Sequence, residues 1–283
     1  MTDNKFNKLS GQTRTPETCQ ASNSFDADES INEERSSYRQ IFKATSIFGG
    51  VQVINILIGI IRVKFVAILL GTAGVGIIGL LNSPLQLIIS ITGLGISFSA
   101  VRDISVSYGS GDETAISKTI KTLRQWSWLT GLLGLIVTVS FAPLLSQWSF
   151  GNRDYTWAFI WLSVTILLQA ISKGQSAILQ GSRRLKEMAK AGVIGPSLGL
   201  ITSIPLYYYF GLKGIVPAMI ITAVTGLLLS WYFSRKVPVK EVRLTSNEVI
   251  HRGLGMATLG ISMTISGFIA SLSTYILNAF ISH

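Results

Sequence analysis

From residue 44 onward the chain consists of long apolar runs separated by short basic segments, and this pattern leaves few folds open. A run of about 20 apolar residues, coiled as a helix, matches the hydrocarbon thickness of a bilayer. Lipid offers no hydrogen bonds, so every backbone N–H and C=O must be paired within the structure, which restricts spanning segments to helices or closed barrels. Seven runs approach this length, at 44–70, 75–101, 125–146, 155–172, 191–210, 214–233 and 253–281. The expected fold class is therefore all-α, a polytopic transmembrane helix bundle of about seven spans. Composition agrees: 48% of the 283 residues are hydrophobic and only 13% charged, about half the charged fraction of a soluble domain. Mean hydropathy is +0.47. A disordered regulator and a soluble globular enzyme are both excluded on this basis.

The charges orient the bundle. Lys and Arg number 24 against 14 acids, a net charge of +10. Counting two spans up to residue 101, 20 of the 24 cations fall on the side of the N-terminus and only Arg153 and Lys213 on the other, with Arg62 and Lys64 left inside the membrane. Basic loops stay in the cytoplasm, so the N-terminus is expected there. An extra span between Arg62 and residue 101 would scatter the basic loops over both sides. The cations lie between apolar runs rather than on an aromatic-studded soluble face, which excludes nucleic acid as a partner. Trp126, Trp128, Trp148, Trp157, Trp161 and Trp231 lie near proposed span ends, where amphipathic rings anchor at the interface. The run Arg183-Arg184-Leu185-Lys186 reads as cytoplasmic and close to anionic lipid. Residues 1–37 are polar, lack an apolar stripe, and read as a disordered cytoplasmic tail. That tail has no apolar h-region of a cleavable signal.

Enzyme chemistry finds no footing. The single cysteine, Cys19, and two histidines, His251 and His283, offer neither a disulfide framework nor a metal cluster. No nucleotide, hydrolase or metalloprotease motif and no working pair of carboxylates is present, so neither catalytic residues nor a cofactor is expected.

Arg62 stands out. It lies 18 residues into the first run, about 27 Å along a helix, and nine residues, roughly 13 Å, before Gly71. A charge inside the bilayer costs about 2.5–3.5 kcal/mol on insertion scales, and needs a partner, a wet cavity or a snorkelling route. Gly49, Gln52, Asn55, Gly59 and Arg62 follow helical spacing and form one small and polar stripe. Arg62 is thus expected to face a cavity, with Gln52 and Asn55 as candidate lining. Lys64 lies about 200° round the helix and reads as a snorkelling, secondary cation. The second run carries a matching stripe of Asn82, Gln86, Ser90, Gly93 and Ser97, with Asn82 and Gln86 as further candidates. The fourth offers Thr165, Gln169, Ser172 and Ser176, and the seventh Ser262 and Ser266. Such stripes either line an aqueous cavity or bind helices to one another. No acid interrupts any span, which disfavours cation-coupled export. A lone positive charge suits an anionic cargo such as a phosphate or pyrophosphate, which Arg binds in bidentate fashion. Gly71, Gly74 and Gly76 permit a tight helical hairpin between the first two spans. Pro84, Pro143, Pro196, Pro205 and Pro217 lie in or near spans, where prolines are tolerated.

Three segments carry a resemblance: Tyr38-Arg39-Gln40-Ile41-Phe42-Lys43 with Arg62 and Leu70-Gly71-Thr72-Ala73-Gly74-Val75-Gly76; Leu179-Gln180-Gly181-Ser182-Arg183-Arg184-Leu185-Lys186; and Tyr209-Phe210-Gly211-Leu212-Lys213-Gly214. Together they resemble the oligosaccharide flippases, the Wzx-type O-antigen translocases of the multidrug/oligosaccharidyl-lipid/polysaccharide exporter (MOP) superfamily. The resemblance covers about residues 38–283. It implies a bundle of two six-helix lobes around a cavity, and alternating-access transfer of undecaprenyl-pyrophosphate-linked oligosaccharide across the bacterial inner membrane for lipopolysaccharide O-antigen or other surface polysaccharide. It also implies that Arg62 holds the pyrophosphate, matching an arginine of the related peptidoglycan-precursor flippases. Those relatives carry cations in the second span, where this chain has Asn82 and Ile88. The implied partners are the lipid-linked oligosaccharide, membrane lipids and the polysaccharide polymerase machinery. On this reading 38–235 is an N-terminal transporter lobe, 236–252 a cytoplasmic linker, and 253–283 a seventh helix opening an absent second lobe. The alternatives are a multidrug-type antiporter of the same superfamily, a non-transporting membrane fragment, and a glycosyltransferase or polymerase, which would need a larger outer loop.

Overall fold

The computed structural model describes residues 16–240, 245 and 247–262, with side chains at Ser46 and from Gly49 onward. The chain divides into two compact units, 1–47 and 48–283. In the first, residues 16–47 are helical. No Gly or Pro, the residues least compatible with a helix interior, lies between residues 17 and 48.

The helices run in the order α1 Pro16–Thr92, α2 Ile96–Gly109, α3 Glu113–Phe150, α4 Thr156–Gly181, α5 Leu185–Phe210, a 3-10 turn Gly211–Gly214, and α6 Ile215–Ser234. Residues 247–262 are also helical. Among the described residues, four stretches are long and apolar enough to cross a membrane: Gly49–Thr92, Glu113–Phe150, Thr156–Gly181 and Leu185–Ser234. The first and last contain 44 and 50 residues, each more than twice the length that one span needs. Each is interrupted at a glycine with positive φ, Gly71 at φ 72° and ψ −171° and Gly211 at φ 55°. Gly71 adopts a combination open to glycine alone, so the hairpin expected after Leu70 turns at the first of its three glycines. Prolines 84, 143, 196 and 205 stay inside their helices.

The second run differs from its expected extent. It breaks at Gly93–Gly95, where Leu94 and Gly95 have φ of 49° and 59°, and α2 begins as a separate helix. Helix α4 continues past the expected end at Ser172 to Gly181, so Lys173 lies within a helix rather than in a loop. The remaining residues of the expected seventh span, 263–283, lie outside the described residues.

Helix α3 starts on a built cap, with the Asp112 carboxylate accepting from the N–H groups of Thr114 and Ala115 at 2.9 and 3.0 Å. It ends at Gly151 in the left-handed region. Helix α3 packs on α4, α4 on α6, α5 on α6, and α2 on both α3 and α4. Since lipid removes most of the hydrophobic drive between spanning helices, close approach by small residues matters most. A Cβ on Gly134 would stand 2.7 Å from Ile166 Cγ2 and 2.9 Å from Thr92 Oγ1, so the glycine is what lets three segments meet. One buried cluster joins Val66, Leu81 and Leu85 to Phe159, Leu162 and Ile215. A second joins Ile104, Ile120 and Leu123 to Ile178, Phe233 and Val237. Large apolar side chains such as Ile68, Leu87, Ile91 and Ile201 stay more than 60% exposed, a surface that only lipid or further protein can cover. The chain is a multi-pass membrane protein.

A candidate substrate cavity around Arg62

Arg62 and Asn82 line the same cavity, of about 300 Å3, together with Ile78. On one straight helix these two residues would stand about 30 Å apart. The reversal at Gly71 is therefore what brings them together. Helix α4 contributes Thr165, Gln169 and Ser172, helix α5 contributes Tyr207, and α6 contributes Met219, Thr222, Ala223 and Gly226. Among the described residues of this lining Arg62 is the sole charged one.

The register of each helix explains the membership. Val51, Asn55, Ile58, Gly59, Arg62 and Val66 are less exposed than their neighbours, and they recur at helical spacing, so this face turns toward protein. Gln52 lies about 80° from Arg62 round the helix and is exposed. In the second arm of α1 the buried face is Leu81, Leu85, Ile88 and Ile89. Asn82 sits at the edge of that face and reaches the cavity. Gln86 lies about 40° further round, is exposed, and is absent from the lining. Gln52 and Gln86 thus lie on the margins of their stripes, exposed and outside the cavity lining. Lys64 is exposed, on the side away from Arg62. Asn55 is half-buried, and its Oδ1 is buried without a hydrogen-bond partner among the described residues. The α4 stripe is where the sequence places it, and Ser172 Oγ is 2.9 Å from Ser230 Oγ of α6. That contact serves both readings at once, since it lines the cavity and joins two helices.

Tyr207 escapes the sequence reading. It sits in a run of three tyrosines, of which Tyr208 and Tyr209 are 71% and 78% exposed while Tyr207 is 5% exposed. The signal was present one helical turn at a time: Gly195, Gly199, Ser203 and Tyr207 recur every four residues and form the buried face of α5. Tyr207 lines the same cavity as Arg62.

The electrostatics of the cavity are one-sided. Arg62 Nε and Nη2 are buried and have no hydrogen-bond partner among the described residues. The nearby hydroxyls are engaged as donors: Thr165 Oγ1 donates to Leu162 O at 2.6 Å and Thr222 Oγ1 to Ala218 O at 2.8 Å. Each keeps a lone pair but offers no proton. A buried guanidinium with open donors and no carboxylate is an acceptor-seeking site, best matched by a planar or tetrahedral oxyanion. Among the described residues no three His, Cys, Asp or Glu side chains gather as a metal site requires.

Two solved structures are similar in fold to this chain. The chain has a TM-score of 0.61 at 18% identity to an outward-facing multidrug resistance MATE family transporter of the MOP superfamily. It has a TM-score of 0.58 at 17% identity to a MOP superfamily transporter from Pyrococcus furiosus Vc1 (DSM3638), described with a binding pocket of reversed polarity. In each case 77% of this chain is covered but only 51% of the other, so the chain spans about half the length of these transporters. The fold of this chain is thus shared with part of both transporters. The sequence profile of polysaccharide biosynthesis proteins matches residues 41–283, and the chain belongs to that family. No curated protein sequence matches it as a relative.

Proposed function

We propose that this chain forms the N-terminal lobe of a flippase for undecaprenyl-pyrophosphate-linked oligosaccharide, acting in O-antigen or other surface polysaccharide export. The observation that carries the reading is Arg62, whose buried Nε and Nη2 lack partners among the described residues, in a cavity to which no described acid contributes. The pyrophosphate enters from the cytoplasmic side, and Arg62 accepts it as a two-pronged donor. Asn82 and Gln169 supply neutral amides to the remaining oxygens, while the lipid tail stays in the bilayer. A volume of about 300 Å3 is at the low end for small-molecule sites. It suits a head group rather than a whole oligosaccharide, so the sugars extend toward a second lobe. Rocking of the lobes about this fixed site then opens the outer side, as in other transporters built from repeats.

The membrane topology that fits this mechanism has a cytoplasmic N-terminus in a bacterial inner membrane, with Gly71 and Gly211 at outer turns. A cation-coupled multidrug antiporter is disfavoured because no carboxylate is among the described residues of the cavity lining, and such coupling uses an intramembrane acid. The test is surface-polysaccharide export in cells carrying Arg62→Ala and Arg62→Lys in an otherwise functional background. Arg62→Ala should abolish export while membrane insertion is retained, and Arg62→Lys should restore part of it. Normal export with Arg62→Ala would overturn the reading.

A further inference from the structure

A second cavity, of about 340 Å3, lies at the end of the bundle where the chain reverses at Gly71 and Gly211. Its walls include Tyr155, Trp157 and Trp161 around the start of α4, and Leu212 and Lys213 of the 3-10 turn. It adjoins the Arg62 cavity. Ala158 and Trp161 continue the α4 stripe of Thr165, Gln169 and Ser172 at helical spacing. On α6, Val216 of the second cavity stands three residues before Met219 of the first. The nearest wall residues of the two cavities are therefore about one helical turn, roughly 5 Å, apart along each helix. Lys213 is the sole charged residue among the described walls, and its ammonium has neither an ion pair nor a hydrogen bond among the described residues. The fold holds these walls in place. A Cβ on Gly214 would run into Leu206 O, so the turn that carries Lys213 is seated on the backbone of α5. The Tyr155 ring stacks on Phe150 at 3.9 Å, and Thr156 Oγ1 donates to Arg153 O at 2.7 Å, which closes the turn just before Trp157.

What the walls offer defines the ligand. A lysine ammonium is a compact point charge that binds phosphate oxygens, and no described carboxylate lines this cavity to compete for it. Trp157 and Trp161 are 72% and 61% exposed, and exposed rings at a span end sit at headgroup depth. There a lysine can run its stem along apolar surface and place its charge among phosphates. A soluble anion on Lys213 would leave both rings uncovered, whereas a lipid brings apolar carbons directly behind its phosphate. The volume is of headgroup size, at the low end for small-molecule sites. We propose that this cavity binds the phosphate of an anionic membrane lipid, with Lys213 on the phosphate and the rings of Trp157 and Trp161 against the carbons that follow it. Two lipids present this chemistry, a resident phospholipid and a polyprenyl phosphate. The inference does not rest on the function proposed above, because Arg62 is not among these walls.

The experiment places the full 283-residue chain in phosphatidylcholine nanodiscs, alone or with phosphatidylglycerol or undecaprenyl phosphate. Native mass spectrometry reads the lipid retained. The unsubstituted chain should retain at least one of the two anionic lipids in preference to phosphatidylcholine. Lys213→Gln should weaken that retention by about tenfold, as expected for a hydrogen bond between charged groups, and Lys213→Arg should keep it. Trp157→Ala/Trp161→Ala should weaken it with the lysine in place. Arg153→Gln, a cation of the same end that is outside the described walls, should leave it unchanged. The lipid whose retention falls with Lys213→Gln identifies the source of the phosphate. In phosphatidylcholine alone Lys213→Gln should keep the thermal midpoint of the unsubstituted chain, since Lys213 is exposed. The proposal would be overturned by no preference over phosphatidylcholine, by retention that survives Lys213→Gln or the tryptophan pair, or by an equal loss with Arg153→Gln. Complete displacement of the lipid by inorganic phosphate, or a lowered midpoint of Lys213→Gln in phosphatidylcholine, would overturn it too.

Discussion

Replacing Arg62 with Met separates a structural arginine from one kept for a ligand, because the two predict opposite signs of stability. Met preserves the length and apolar stem of the side chain and removes the guanidinium. The guanidinium has two buried nitrogens, Nε and Nη2, without partners among the described residues. An unsatisfied buried polar group costs about 1–3 kcal/mol, so two atoms at the lower bound give about 2 kcal/mol. A charge at bilayer depth costs about 2.5–3.5 kcal/mol on insertion scales. These describe the same penalty from two sides and are not summed. Arg62→Met is therefore expected to stabilise the lobe by about 2–3 kcal/mol, more than tenfold in its unfolding equilibrium. Equilibrium unfolding in lipid nanodiscs measures this directly, and export from cells carrying the variant should fail in parallel. Destabilisation by Arg62→Met would refute the reasoning, since the guanidinium would then be bonded within the fold and closed to a ligand.

Three further outcomes follow from particular contacts. Gly71→Ala forces a side chain into a backbone combination open to glycine alone and should cost about 1–3 kcal/mol. Gly76→Ala, with nothing within 4 Å of its Cβ position, should cost little, and the thermal midpoints of the two variants compare them. Gly134→Val should cost about 1–3 kcal/mol by overpacking against Ile166 and Thr92, read as a lowered midpoint with membrane insertion intact. At Asp112, hydrogen bonds from the Thr114 hydroxyl and the Ala115 N–H hold the carboxyl below its ordinary pKa of 3.8. A folded-state pKa that is depressed contributes stability above the unfolded value, and loses it as pH falls through the folded value. Hydrogen exchange at the first turn of α3 should accordingly rise only below the ordinary carboxylate range. Asp112→Asn, which keeps the acceptor, should remove this pH dependence.

The sequence by itself determined the all-helical, membrane-embedded class, because apolar length and the need to pair every backbone group in lipid are local constraints. It also singled out Arg62, since a charge within an apolar run is costly wherever the helix goes. The stripe Thr165, Gln169 and Ser172 was legible for the same reason: spacing alone shows that residues share a helical face. Spacing does not show which faces meet. Gln52 and Gln86 belong to legible stripes yet turn outward, and Tyr207, indistinguishable in type from Tyr208 and Tyr209, turns inward. The break at Gly93–Gly95 carried two glycines as a signal, but hydropathy runs through it unchanged. Only the packing of α1 against α4, α5 and α6 decided which polar residues came to surround Arg62. Each helix can be rotated about its axis at little local cost, and contacts between helices far apart in the chain fix that rotation.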